Sequence, residues 1–337
     1  MAETPLPVAA VEAEAEAEVV GRTSKAKPAP AAKPAAKPGG DLVMGVKLSN
    51  PDKVLWPAAD GEPAATKRDL ALYYEAMADA IMPHIKGRPC SIIRCPDGVS
   101  GPGFFQRHIG QGSSALVTGV SVWGDEKPYL QIDRPEALAA MAQTGALELH
   151  PWNCLPDEPE TPGRLVFDLE PAPGVSFEMV IEGALEIRKR LEALGMVAFC
   201  KTTGGKGLHV VTPLKDGKGK TDWKAAKQFA HDVSVAIAAD APDRYVVNMA
   251  KAKRKGRIFL DYLRNDRMAT AVGPLSPRAR PGAPVSFPLT WSQVKKGLDP
   301  KKWTIRTAPS LLTKTKAWED YCEAERPLAE AIRKLGR

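Results

Sequence analysis

Several features that would assign this chain to a class at once are missing from it. Its five cysteines have no regular spacing, which suits reduced thiols in a cytoplasm and not a disulfide framework. No stretch reaches the roughly 18 consecutive apolar residues of a membrane span. Met1 is followed by AETP instead of a basic and then apolar run, so no secretory signal is expected. No internal repeat is visible. The one glycine-rich turn, TTGGKGLH at Thr202–His209, has the spacing of neither a Walker loop nor a dinucleotide fingerprint.

What remains is an ordinary globular composition. The chain has 337 residues, 44% hydrophobic, with a formal charge of +7, enough for one large domain or two apposed lobes with a sizeable core. The basic balance is mild, but KAKRKGR at Lys251–Arg257 is dense. Residues 1–40 combine EAEAEAE with an Ala/Pro/Lys run. They carry too few large apolar groups to offset ordering entropy and are expected to be a disordered tail or linker. The folded part is expected over 41–337, with an N-terminal lobe over about 41–150 and a catalytic lobe over about 151–337.

Within the first lobe, TKRDLALYYEAMADAIMPHI predicts an amphipathic helix opened by a capping box of Thr66 and Asp69. Gly87–Leu147 predicts short strands and turns, with DRPEA as turn punctuation. In the second lobe RLVFDLE, MVAFCK, LHVVTPL and RIFLDYL read as strands. Ser176–Leu194 and Asp222–Ala239 read as helices, and a short helix is expected near Thr290. That order predicts an α+β fold around a mostly antiparallel sheet.

Three motifs carry chemistry. In VFDLEP, Asp168 and Glu170 are two apart on a strand, so both carboxylates face one side while Phe167 and Leu169 point into the core. Two carboxylates that close repel unless a cation lies between them, which favours Mg²⁺ or Mn²⁺. Asp261 is a lone acid in an apolar strand, IFLDYL, and is costly to bury without a metal or a partner. The plain alternative is a solvated Asp168/Glu170 face and an Asp261 paired with Arg264. In the glycine-rich turn, backbone N–H groups can approach phosphate oxygens, Thr203 and Lys206 add a hydroxyl and a charge, and His209 follows. Its plain alternative is a lysine-bearing hairpin with a satisfied histidine. KAKRKGR is by default a solvated loop; beside a metal strand it can contact triphosphate or nucleic-acid backbone.

Taken in order, these motifs resemble the polymerase domain of bacterial ligase D, of the archaeo-eukaryotic primase superfamily, which serves non-homologous end joining. The resemblance also includes LSNPDKVLWP, GRPCSIIRCPDG, GPGFFQRH, LELHPWN and PLSPRARPGAPVS. It implies a primase-like, RRM-like antiparallel sheet with flanking helices and an N-terminal α/β lobe. It implies two Mn²⁺ or Mg²⁺ ions at Asp168, Glu170 and Asp261. It places His150, Thr203, Lys206, His209, Arg254 and Arg278 on the incoming NTP or dNTP and its triphosphate. Asn50, Lys53 and Lys67 match a pocket for the 5′-phosphate of a DNA gap, and Phe104 and Phe105 an aromatic pair on the template. Independently, Lys67 stands at a helix N-terminus, where free N–H groups favour an anion, and an exposed aromatic stacks on a base whatever its sequence. One of the two phenylalanines is expected in the core and the other as a platform.

Two positions depart from the family pattern: Glu170 replaces the usual second aspartate, and Thr203 stands where serine is common. The resemblance implies template-dependent nucleotide addition at gaps or DNA ends in the bacterial cytoplasm, on the nucleoid. The implied partners are DNA bearing a 5′-phosphate, Ku, and ligase and phosphoesterase domains in the same or another chain, with no membrane. The competing readings are a de novo primase, a non-catalytic end-bridging module, and a zinc protein using Cys90, Cys95, Cys154 and His150.

Overall fold

The computed structural model describes residues 41–59, 61–215 and 221–336. The Ala/Glu and Ala/Pro/Lys tail expected over residues 1–40 lies outside them. Helix α1, Lys67–Ile85, begins as the sequence predicts. The Thr66 hydroxyl accepts from Asp69 N, and the Asp69 carboxylate accepts from Thr66 N, which satisfies two N-terminal amides reciprocally. Strands β1 (Cys90–Arg94), β2 (Phe104–Gln106) and β3 (Ala146–Pro151) form a small antiparallel sheet in the order β2-β1-β3.

Between β2 and β3 the expectation of strands and turns alone is incomplete. Pro135–Gln143 is a helix, α2, with Pro135 in its first turn. Proline fits there because its missing N–H is unused at a helix start and its φ is preset. The DRPEA segment, expected as turn punctuation, is therefore a helix entry. Helix α2 packs against α1.

The central sheet takes β4 (Arg164–Pro171), followed by helix α3 (Phe177–Ala193). Strands β5 (Phe199–Thr202) and β6 (Leu208–Pro213) come next, then helix α4 (Trp223–Asp240). Strands β7 (Tyr245–Val246), β8 (Ile258–Asp261) and β9 (Pro288–Leu289) complete it. The order is β7-β8-β4-β6-β5-β9, antiparallel except for β7 against β8. Ser176 and Asp222 cap α3 and α4, and Gly195 follows α3 with a positive φ. The short helix expected near Thr290 is absent. Thr290 and Gln293 instead close a turn in which the Gln293 side chain accepts from Thr290 N, a local bond that competes with helix formation.

Strand alternation divides β4 cleanly. Phe167 and Leu169 join Leu208, Val210, Leu260 and residues of α3 and α4 in the main core. On the opposite face, Val166, Phe199 and Val211 pack with Trp318 and Tyr321. The main core runs from Val43 to Ala331, so the two expected lobes share it. No helix among the described residues is long and apolar enough to cross a membrane.

Helix α3 approaches the sheet closely at Gly183, where a Cβ would stand 2.7 Å from Leu169 Cδ2 and 3.1 Å from Tyr245 Cε1. Gly183→Ala should therefore destabilise the protein by about 1–3 kcal/mol through overpacking. A denaturant midpoint equal to wild type would refute this packing.

Candidate active site

Sheet register assembles the site. Asp168 pairs with Asp261 on one side and His209 on the other, and His209 pairs with Lys201. Directly opposed residues share a face, so Asp261, Asp168, His209 and Lys201 form one row across four strands. Glu170 lies two residues from Asp168 on that face, opposite Phe259. The ligand oxygens of Asp168, Glu170 and Asp261 lie within 4.8 Å of one another. The buried Asn265 amide locks the register two residues earlier, accepting from Val166 N and donating to Val166 O.

Two arginines offset the crowding. Arg264 Nε lies 2.9 Å from Asp261 Oδ2 and 3.9 Å from Asp168 Oδ2, and its Nη2 lies 3.4 Å from Glu170 Oε1. Arg254 donates to Glu170 Oε2 at 2.7 Å and stacks 3.9 Å above the Phe259 ring. The Asp261–Arg264 pairing of the plain alternative is thus present, but within an acidic trio and not on a solvated face.

The trio does not share one ionisation behaviour. Burial and the charges of Asp168 and Asp261 push the Glu170 carboxyl up to about 8. Burial likewise raises Asp261 against the pull of Arg264. Burial also opposes ionisation of Asp168, but His209, Arg264 and Lys201 outweigh it and hold that carboxyl at about 2. Burial, aided by Lys201, drives His209 down to about 4. At neutral pH it is therefore uncharged and meets Asp168 Oδ2 through Nε2 at 3.1 Å. Its Nδ1 is buried without a hydrogen-bond partner.

An all-oxygen donor set suits a hard divalent cation, and the repulsion that lifts Glu170 is what such an ion relieves. The residues present therefore fit the implied metal. Among the described residues this trio is the one cluster of three converging His, Cys, Asp or Glu ligands. Cys90, Cys95, Cys154 and His150 make no such group, and burial pushes the Cys90 and Cys154 thiols up to about 12 and about 11, away from the thiolate that zinc needs.

The glycine-rich turn lies between the trio and a second cluster. Gly204 has φ +66, and a Cβ there would stand 2.6 Å from Arg278 Cγ. The Thr203 hydroxyl accepts from Gly205 N and donates to Gly207 O, so it shapes the turn from inside, while Lys206 is exposed. Arg278 donates through Nη1 to Thr203 O and through Nε to Glu148 Oε2 at 2.8 Å. His150 Nε2 lies 2.9 Å from the same Glu148 oxygen. Glu148 was not singled out from sequence. Its signal is the acid–histidine alternation in the apolar run LELHP.

Phe104 and Phe105 differ in exposure. Phe104 is 44% exposed with the Arg94 guanidinium 5.2 Å from its ring. Phe105 packs on the core with its ring 5.9 Å from His150. Lys251, Lys253 and Lys255 are exposed, whereas Arg254 turns inward.

The third cluster stands at the start of α1. Pairing of Val54 with Thr66 brings Lys53 beside Lys67, whose N–H donates to Lys53 O. Lys67 Nζ donates to Ser49 O, next to the exposed Asn50. Burial and then the Lys53 charge lower the Lys67 ammonium. Two ammoniums crowded at a helix N-terminus favour an anion, although Lys53 also meets Asp97 at 2.7 Å.

A family model described as "LigD, primase-polymerase domain" matches residues 66–318. The chain is 35% identical over 305 residues to the multifunctional non-homologous end joining protein LigD of Pseudomonas aeruginosa, covering 87% of this chain and 35% of that one. It is 33% identical over 259 residues to the corresponding DNA repair protein LigD of Mycobacterium tuberculosis, covering 74% and 33%. The chain thus spans about a third of the length of these relatives. Among solved structures it resembles the polymerase domain of Mycobacterium tuberculosis ligase D in complex with DNA, with a TM-score of 0.73, 32% identity, and coverage of 84% of this chain and 99% of that one.

Because the Glu170 carboxyl sits near 8, a divalent ion must displace its proton at neutral pH. Mn²⁺ binding should therefore release about one proton and tighten by up to about tenfold per pH unit towards pH 8. Titration calorimetry in two buffers of different ionisation enthalpy measures this. Proton-free binding at pH 7 would contradict it.

Proposed function

The chain belongs to the LigD primase-polymerase domain family, nucleotidyltransferases of non-homologous end joining, and from that membership we propose a template-dependent polymerase that adds one or a few nucleotides at DNA gaps and ends. The observation that carries this reading is the convergence of Asp168, Glu170 and Asp261 on one sheet face beside His209. These three acids would hold two Mn²⁺ or Mg²⁺ ions. The chemistry those ions supply when bound is a lowered pKa for the primer 3′-hydroxyl and neutralised charge on the triphosphate.

The protein's own residues do the rest. Neutral His209 donates to Asp168 and fixes which way that carboxylate faces. Lys206, exposed at the tip of the glycine-rich turn, and Arg278, buried at its base, share the charge of the incoming triphosphate, with His150, Thr203 and Arg254 completing the pocket. Electrostatic stabilisation by groups already fixed in place lowers the barrier most, because little reorganisation is needed. The Asn50, Lys53 and Lys67 cluster takes the 5′-phosphate on the far side of a gap, and exposed Phe104 packs on the template. The wider setting is also a proposal: DNA ends as substrate, with Ku and the ligase and phosphoesterase activities as partners, on the bacterial nucleoid in the cytoplasm.

Primer extension on a gapped duplex tests the reading, with Mn²⁺ against Mg²⁺ and ribonucleoside against deoxynucleoside triphosphates. Asp168→Ala or Asp261→Ala should lower extension by about a thousandfold or more while DNA binding persists. Wild-type rates from either variant would remove the metal assignment. Replacing Lys53 and Lys67 together with Ala should abolish the preference for gaps with a 5′-phosphate and leave extension on a plain primer-template intact. An unchanged preference would reject that pocket.

A further inference from the structure

Glu148 has no part in the chemistry described so far, yet it joins two residues that do. It lies on β3, 3% exposed, two residues before His150 and on the same strand face. Its Oε2 meets both His150 Nε2 at 2.9 Å and Arg278 Nε at 2.8 Å. Its Oε1 accepts from Ala279 N at 2.7 Å. An acid this deep is costly unless each oxygen is satisfied, and here both are, by one charged and two neutral donors. Burial opposes its ionisation, but Arg278, His150 and Ala279 hold the carboxyl at about 2.

The backbone around Arg278 is fixed by other groups. Trp56 Nε1 donates to Arg278 O at 2.9 Å, Tyr73 Oη donates to Leu275 O at 2.6 Å, and Arg278 N donates to Pro284 O at 2.8 Å. Apart from the Ala279 N–H bond that Glu148 accepts, the main chain therefore keeps its course through bonds to other groups. What Glu148 adds is the direction of two side chains. A guanidinium held at Nε can rotate little about its own axis. An imidazole whose Nε2–H is committed to a carboxylate has its tautomer and ring plane set.

We propose that Glu148 is a positioning residue that sets Arg278 and His150 for the incoming nucleotide's phosphates, acting through them and touching no substrate itself. This rests on the nucleotide-binding reading of Arg278 and His150 given above. Without the carboxylate the guanidinium and imidazole would still be present, but the arrangement would have to be selected at each binding event. The loss should thus fall on nucleotide affinity and not on the chemical step.

The test is Glu148→Gln, which keeps the shape and removes the charge. Steady-state extension with Mn²⁺, a primed template and ATP should show the nucleotide KM raised about tenfold and kcat within about threefold. ATP binding in Mn²⁺ without primer should weaken by the same factor, with DNA affinity unchanged. In an Arg278→Ala background the same substitution should add less than about threefold, because a residue acting through another loses its effect when that partner is gone. An unchanged nucleotide KM, or an undiminished penalty in the Arg278→Ala background, overturns the proposal. If Glu148→Gln lacks the native near-ultraviolet circular dichroism, Glu148→Asp decides by the same criteria. It keeps the charge but is too short to reach all three donors. Wild-type protein that binds ATP but extends no primer would remove the polymerase reading and leave the affinity comparison standing.

Discussion

Three carboxylates held within 4.8 Å of one another on a buried sheet face are the constraint around which the rest is arranged. Like charges in a low-dielectric setting repel strongly, and this fold does not let them relax apart. Asp168 and Asp261 are direct cross-strand partners, and Asn265, four residues after Asp261, clamps the backbone at Val166, two residues before Asp168. Compensation comes from around the trio: Arg264 lies against all three acids, Arg254 against Glu170, and His209 against Asp168. A one-residue slip of β4 would turn Phe167 and Leu169 to this face and send the acids into the core. The hydrophobic pattern that drives folding thus also fixes the ligand geometry.

The same dependence explains what the sequence made legible. Alternation in VFDLE reveals which side chains share a face, and the caps at Thr66, Ser176 and Asp222 are local signals read without tertiary knowledge. Cross-strand register is not local. Nothing in RIFLDYL or LHVVTPL alone says that Asp261 and His209 flank Asp168, and only the resemblance to a known family brought them together. Helix α2 was hidden because proline is ambiguous between turn and helix entry. Glu148 was hidden because a lone acid in an apolar strand gains meaning only when its partners, 130 residues away in the case of Arg278, are known. Thr203 was read as a hydroxyl for phosphate; its bonds to Gly205 and Gly207 show a shaping role that depends on turn conformation.

Glu170, the one glutamate of the trio, differs physically from the two aspartates. Its side chain is 31% exposed, against 12% for Asp168 and 4% for Asp261. It is the acid whose carboxyl rises to about 8, so the trio as a set keeps a proton at neutral pH. The extra methylene places the most adaptable carboxylate at the edge of the cluster, where Arg254 engages it. The three acids interact strongly enough that their protons belong to the set and not to single residues. Whatever cation enters therefore meets a set of acids that shares a proton, weighted towards Glu170 by its raised carboxyl, while Asp168 is held low.

The two regions proposed to bind anions, finally, are not independent attachments to the fold. Lys53 is followed three residues later by Trp56, whose indole N–H holds the carbonyl of Arg278. Lys67 opens the helix whose Tyr73 holds the carbonyl of Leu275, a buried residue kept at φ 62. Left-handed backbone at a non-glycine residue persists only where its surroundings over-determine it, and these hydrogen bonds are part of that determination. Trp56 and Tyr73 are themselves 1% and 2% exposed, so the link runs through packed side chains and not through a mobile loop. A downstream 5′-phosphate at Lys53 and Lys67 and a triphosphate at Arg278 would accordingly be held at a spacing set by the core. The start of α1 and the loop that carries Arg278 are thus fastened to one core through Tyr73 and Trp56.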